Sequence, residues 1–161
     1  MISFVETIDK RLFMEKYSSD NQSVFKIVGM SRSKDELRLS SSSLPSEIQF
    51  SFSPYLIVDT KQSVLVPTIK AFFLDKEGNA ITNELSLQVV FKFNDNLPLC
   101  LNEKKGIDIK DYQALVSIFD TTIGAFRGIL FDWLNGSELQ RPLPFVQMDE
   151  FLKGLKVSFA K

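Results

Sequence analysis

The sequence predicts an α+β domain, an antiparallel four-stranded meander sheet with a long helix and a short C-terminal helix packed on one side. Three observations carry that expectation. Apolar and polar residues alternate over 48–53 and 85–94, short polar turns separate such runs, and one stretch, 108–136, places its apolar residues at helical spacing. Strands that follow one another through short turns pair antiparallel, and their dry face needs a helix to cover it.

Residues 1–17 place Phe4, Val5, Ile8, Leu12, Phe13 and Tyr17 at a spacing suited to a short amphipathic helix or a packed arm. A polar turn over 18–23 leads into a first strand at Val24, Phe25, Ile27 and Val28, and the serines, charges and Pro45 of 31–47 read as a loop or weak strand. Ile48, Phe50 and Phe52 then alternate with Gln49, Ser51 and Ser53, a strand with one wet face, which Pro54 interrupts before 55–58 resumes it. The next strand, 63–74, is apolar on both faces and contains Pro67, which predicts an edge or a bulge there. After the glycine-containing turn at 75–79, Leu85, Leu87, Val89, Phe91 and Phe93 give the clearest alternation in the chain.

A loop over 95–107, with Pro98 and Lys104-Lys105-Gly106, crosses to the helix. There Leu115, Ile118, Phe119, Thr122, Phe126, Ile129, Leu130 and Trp133 form one stripe, Asp108 and Asp111 suit the helix N-terminus, and Asn135-Gly136 supplies a left-handed stop. Pro142 and Pro144 keep the following stretch extended. Met148, Phe151, Leu152 and Leu155 predict a short second helix ending near Gly154, and Val157 and Phe159 an apolar tail. The chain reads as one domain over 1–161, with an arm at 1–20, a core over 21–156, and no internal repeat.

Composition removes several function classes. There is no histidine, hence no general base of ordinary neutral pKa and none of the commonest metal ligand. A net charge of −1 provides no field to gather nucleic acid. Cys100 is the sole cysteine, so no disulfide forms within the chain and a reducing compartment fits. Glu6, Asp9, Lys10 and Arg11 break the N-terminal apolar run before a signal-peptide core forms, and no uninterrupted apolar run has membrane-spanning length, which predicts a cytoplasmic protein. Fifteen phenylalanines are the outlier, more aromatic surface than a small core evidently requires.

The reactive constellations are weak. Asp108 with Asp111 and Asp149 with Glu150 are carboxylates of helix starts, with nothing to split their pKa values for acid–base work. Lys104-Lys105-Gly106 lacks the glycines and trailing hydroxyl of a phosphate loop, and Cys100 has no histidine to activate it. The serines at 40–43 read as a low-complexity loop. One apolar feature exceeds what a short helix needs: Leu143, Phe145, Val146, Met148, Phe151 and Leu152, next to a helix whose stripe is already aromatic. Two readings stand, closure of the core or the wall of a groove or interface. On the second face of the sheet, Val64, Val66, Phe72 and Leu74 are candidates for an oligomer interface.

The order of parts, with Ile123, Phe126 and Arg127 in the long helix and Leu143, Val146, Asp149 and Phe151 in the C-terminal segment, resembles the bacterial SecB chaperone family over about residues 20–156. The matches are short. Ala125 stands where the family often has proline, and Gln147 and Met148 where it has asparagine and phenylalanine. The resemblance implies a four-stranded antiparallel sheet with helices on one side, a dimer of dimers, and an ATP-independent holdase that keeps unfolded polypeptides or preproteins competent for export in apolar grooves without a cofactor. It puts Val146, Met148 and Phe151 on the groove wall, with Leu143 and Phe145 beside them. Apolar contacts suit many clients because burial is non-directional, and methionine adapts to irregular surfaces.

Two departures bear on the partner. Export members are strongly acidic and carry a mobile tail for the SecA motor, whereas this chain is nearly neutral and stops at Lys161 just after its last apolar residues, which weakens the SecA expectation. The alternative is a non-enzymatic interaction module binding one dedicated partner, such as an antitoxin-type client; an enzyme is the weakest reading.

Overall fold

The alternating runs become the strands of a sheet whose pleat sorts apolar side chains to one side. The computed structural model describes residues 25–41, 43–94, 99–102, 106–109, 112–143 and 145–160. The arm expected at 1–20 lies outside the described residues. In chain order the elements are β1 (Phe25–Arg32), β2 (Ile48–Asp59), β3 (Val64–Asp75), β4 (Leu85–Phe93), β5 (Leu99–Asn102), β6 (Gly106–Ile109), α1 (Tyr112–Trp133), α2 (Met148–Leu152) and β7 (Lys156–Phe159).

The main sheet has five strands in the order β1-β4-β3-β2-β7. β2, β3 and β4 form an antiparallel meander, and β1 returns to pair antiparallel with β4, so the four expected strands close as a Greek key. The fifth strand is the tail: Val157 and Phe159 lie opposite Leu56 and Val58, in parallel pairing with β2. The C-terminal apolar residues thus extend the sheet.

Both prolines sit in long strands, and each is tolerated for a geometric reason. Pro67 is in a central strand, not at an edge, and the register between β3 and β4 runs on from Val64↔Lys92 to Thr68↔Gln88 without a bulge. Val66 and Pro67 alone drop out of that ladder, because the missing N–H of Pro67 lies on the β4 side. Pro54 does not break β2, which runs unbroken from Ile48 to Asp59. The sheet's bulge falls instead in β1, between Ile27 and Gly29.

Two further expectations change. Part of the loop over 95–107 is a hairpin, with Leu99 opposite Ile109 and Cys100 opposite Asp108. Asp108 is therefore in a strand, and the first turn of α1 carries no acidic residue. Asp111, Lys104 and Lys105 lie outside the described residues. Gly136 does adopt the left-handed conformation, φ +78°, that ends the helix. At the β3–β4 turn, Gly78 has φ +88° and the Asp75 carboxylate accepts the amides of Glu77 and Asn79 at 3.0 and 2.8 Å, which holds its pKa below the ordinary range.

The core lies between the sheet and α1. Leu65, Ile69, Ala71 and Phe73 of β3, Leu85 to Phe93 at alternate positions of β4, and Leu115, Ile118, Phe119, Thr122, Ile123, Phe126, Leu130 and Trp133 of α1 are buried. By length and mean hydropathy (1.5) α1 would serve to cross a membrane. Its apolar stripe lies on β3 and β4, the position of a core helix. The one polar residue in the stripe, Thr122, returns its hydroxyl to the carbonyl of Ile118 at 2.7 Å, so it enters the core satisfied.

Candidate functional site

The chain leaves α1 at Gly136, buries Leu139, and runs extended through Leu143 towards α2, which lies on β2. Two polar contacts fix this passage to α1. Arg127 Nη1 donates to the carbonyl of Leu143 at 3.2 Å, and the Tyr112 hydroxyl donates to Asp149 Oδ1 at 2.6 Å. That hydrogen bond to a carboxylate, followed by burial, raises the Tyr112 pKa above its ordinary value. Glu150 pairs with Lys153 at 2.8 Å, so each acid of the Asp149-Glu150 pair has its own partner.

Under this passage the aromatic side chains form a continuous series. Phe73 in the core meets Phe50 at 5.0 Å between ring centroids, Phe50 meets Phe52 at 5.9 Å, and Phe52 stacks on Phe151 at 4.7 Å and 22°. Phe126 and Phe119 flank Phe52 and Phe151 from α1, at 5.5 and 6.2 Å. Spacings and angles of this kind are the favourable ones for aromatic pairs. Burial falls along the series: Phe73 is sealed, and Phe50, Phe52 and Phe151 are half-buried; outside the series, in the approach to α2, Phe145 is 88% exposed.

The structure distributes the expected groove residues as follows. Leu143 is buried in the core cluster; Val146, Met148 and Phe151 are half-buried against it; Phe145 stands in solvent. Of the second-face candidates, Val64 is buried, and Val66, Phe72 and Leu74 are half-buried on the face away from α1. Phe50, Phe52, Tyr112 and Arg127 complete the site. The sequence signal for the first two was their place on the dry side of an alternating strand, and for Arg127 its position after the aromatic run of the helix.

A second concavity, about 590 Å³, lies between the segment after β1 and the end of α1, lined by Arg32, Lys34, Asp35, Glu36, Asp132 and Trp133 among others. Arg32 pairs with Asp132 at 3.7 Å and the Trp133 indole donates to the carbonyl of Asp35 at 3.2 Å, so its walls hold one another. Among the described residues no three or more His, Cys, Asp or Glu side chains gather as a metal site.

The fold matches a solved structure, a SecB-like chaperone of Mycobacterium tuberculosis in complex with a ChAD peptide from the HigA1 antitoxin. The match has a TM-score of 0.50 at 14% identity and covers 76% of this chain and 91% of that one. The fold is SecB-like. No family model and no curated protein matches the chain.

Proposed function

We propose that this protein is an ATP-independent holdase that binds non-native polypeptides at the apolar strip of Phe145, Val146, Met148 and Phe151, beside Leu143. The observation that carries this reading is the exposure of Phe145, 88%, in a segment pinned at Leu143 and Asp149 and continued by the half-buried Val146, Met148 and Phe151. A large apolar side chain held in water next to an apolar surface favours whatever covers it. Covering a fully exposed ring contributes roughly 1.5–3 kcal/mol, and since association itself costs several kcal/mol, binding needs several such contacts at once. None of these contacts demands a particular client sequence, and none involves a nucleotide or cofactor.

The resemblance in the helix and C-terminal segment and the SecB-like fold support the same reading. It extends to self-association through Val66, Phe72 and Leu74, with the buried Val64 on the same face of β3, and to work in the cytoplasm, with export through SecA as its least supported part. Light scattering from a chemically unfolded client, with increasing protein and no nucleotide, tests it. Suppression of aggregation saturating near stoichiometry, and weakened several-fold in Phe145→Asp and Met148→Asp variants that still fold, is expected. No suppression across several unrelated clients overturns it.

The second reading is a module dedicated to one client of antitoxin type. The peptide bound to the Mycobacterium tuberculosis neighbour favours it. Breadth of clients separates the two readings.

A further inference from the structure

The sheet has two outer edges, and they are defended differently. Along β1 the edge carries Lys26 and Arg32 and is bent by the bulge between Ile27 and Gly29, devices that discourage another strand from adding. Along β2 the upper half of the edge, Tyr55 to Val58, is covered by β7. The lower half, 48–54, reads Ile-Gln-Phe-Ser-Phe-Ser-Pro, without a charge or a bulge, and among the described residues no strand pairs with its outer side.

The direction of its main-chain groups follows from β7. The amide of Ala160 donates to the carbonyl of Val58 at 2.9 Å, so Val58 points its backbone groups outward. Backbone groups alternate in direction along a strand, which turns those of Ile48, Phe50, Phe52 and Pro54 outward as well. Pro54 falls in that outward set, which is why β2 tolerates it. The side chains of the same residues lie on the helix face, where Phe50 and Phe52 belong to the half-buried aromatic series.

We propose that the 48–54 edge of β2 is a strand-addition site. An extended segment of a client polypeptide pairs there by main-chain hydrogen bonds and lays alternate apolar side chains along Phe50, Phe52 and Phe151. This rests on the holdase reading and gives its mode of binding. The chain's own C-terminus shows that the edge accepts such an occupant: Lys-Val-Ser-Phe of β7 adds to β2 with Val157 and Phe159 on the helix side and Lys156 and Ser158 on the other. Main-chain pairing adds affinity without reading sequence, and alternation alone selects the guest.

A dye-labelled peptide of about ten residues alternating valine and lysine, followed by anisotropy, tests the proposal with the full-length protein. Two derivatives carry N-methyl groups on all valines or on all lysines, which leaves the side chains in place and removes the amide donors of one edge. A strand added to β2 uses one edge only. One derivative is therefore expected to bind about ten-fold more weakly or worse, from the loss of two or more hydrogen bonds, while the other retains affinity. Methylated lysines are the damaging set for a guest parallel to β2, methylated valines for an antiparallel one. Amide exchange read by NMR is expected to slow at least about ten-fold at Phe50 and Phe52 on binding, and to stay unchanged at Ser51 and Ser53, which point to β3. Equal affinity of the two derivatives, or unchanged exchange at Phe50 and Phe52 with peptide bound, overturns the edge site and leaves the holdase reading standing. No binding of the unmethylated peptide overturns both. Protection of Phe50 and Phe52 that rises with protein concentration alone shows the edge closed by a second copy, and also overturns the proposal.

Discussion

Between α1 and the sheet the rings of Phe73, Phe91, Phe93, Phe119 and Phe126 are sealed, each at 2% exposure or less, whereas around α2 those of Phe50, Phe52 and Phe151 are only half-buried and Phe145 is 88% exposed. The two regions share one sheet and one residue type. They differ in the length of the lid. A helix of 22 residues, about 33 Å long, lies along β3 and β4. A helix of 5 residues, about 7.5 Å long, lies on β2, whose 12 residues extend for about 40 Å. The apolar surface left over there is too large for its own cover. The contrast teaches that the excess of phenylalanine serves two ends, a core that holds the fold and a strip that waits for a cover.

The largest effects should separate the two regions. Phe126→Ala removes a ring at 0% exposure and is expected to cost about 3–5 kcal/mol in denaturant unfolding, the range for a cavity in a sealed core. Phe145→Ala, the same truncation in solvent, should stay within about 0.5 kcal/mol of the parent protein while lowering client binding. Phe151→Ala belongs between them, at about 2 kcal/mol, since its ring stacks on Phe52 yet is only half-buried. A loss at Phe145 as large as that at Phe126 would break the comparison, because it would mean that the exposed ring is structural.

How much of this was legible follows from which forces are local. Alternation over 48–53 and 85–93 announced β2 and β4, the aromatic stripe announced α1, and Asn135-Gly136 announced its end, because each is a pattern within a few residues. The meander of β2, β3 and β4 was legible, whereas the return of β1 to β4 and the strand β7 were not. Val157 and Phe159 are too few to signal a strand, and they pair with residues about a hundred positions earlier. The prolines mislead for a related reason: whether a missing N–H matters depends on which neighbour it would have faced, and that neighbour is remote in sequence. Asp108 was read as a helix-start acid because the hairpin of β5 and β6 has only 4 residues on each side. In the site, the strip from Leu143 to Phe151 was visible as apolar excess. The contribution of Phe50 and Phe52 depends on how little of β2 is covered by α2, a fact of tertiary geometry.

The smallest effect sharpens the comparison at the seam between the two regions. The Tyr112 hydroxyl joins the first turn of α1 to Asp149 of α2 at 2.6 Å, and hydrogen bonding to that carboxylate holds the phenol above its ordinary pKa. A group whose folded pKa is raised contributes its stability in full below its unfolded value and loses it as pH climbs through the folded one. The Tyr112–Asp149 bond therefore acts across the neutral range and disappears in strongly alkaline solution, where two anions would face each other. Tyr112→Phe should cost less than about 1 kcal/mol at neutral pH, since both partners are exposed and water competes for each. The difference between parent and variant, measured as denaturant midpoints, should shrink towards zero as pH passes through the raised phenol value. A difference that stays constant as pH passes through the raised phenol value would show that the bond to Asp149 does not carry the effect, and the attachment of α2 would then rest on Phe151 and the Arg127 contact.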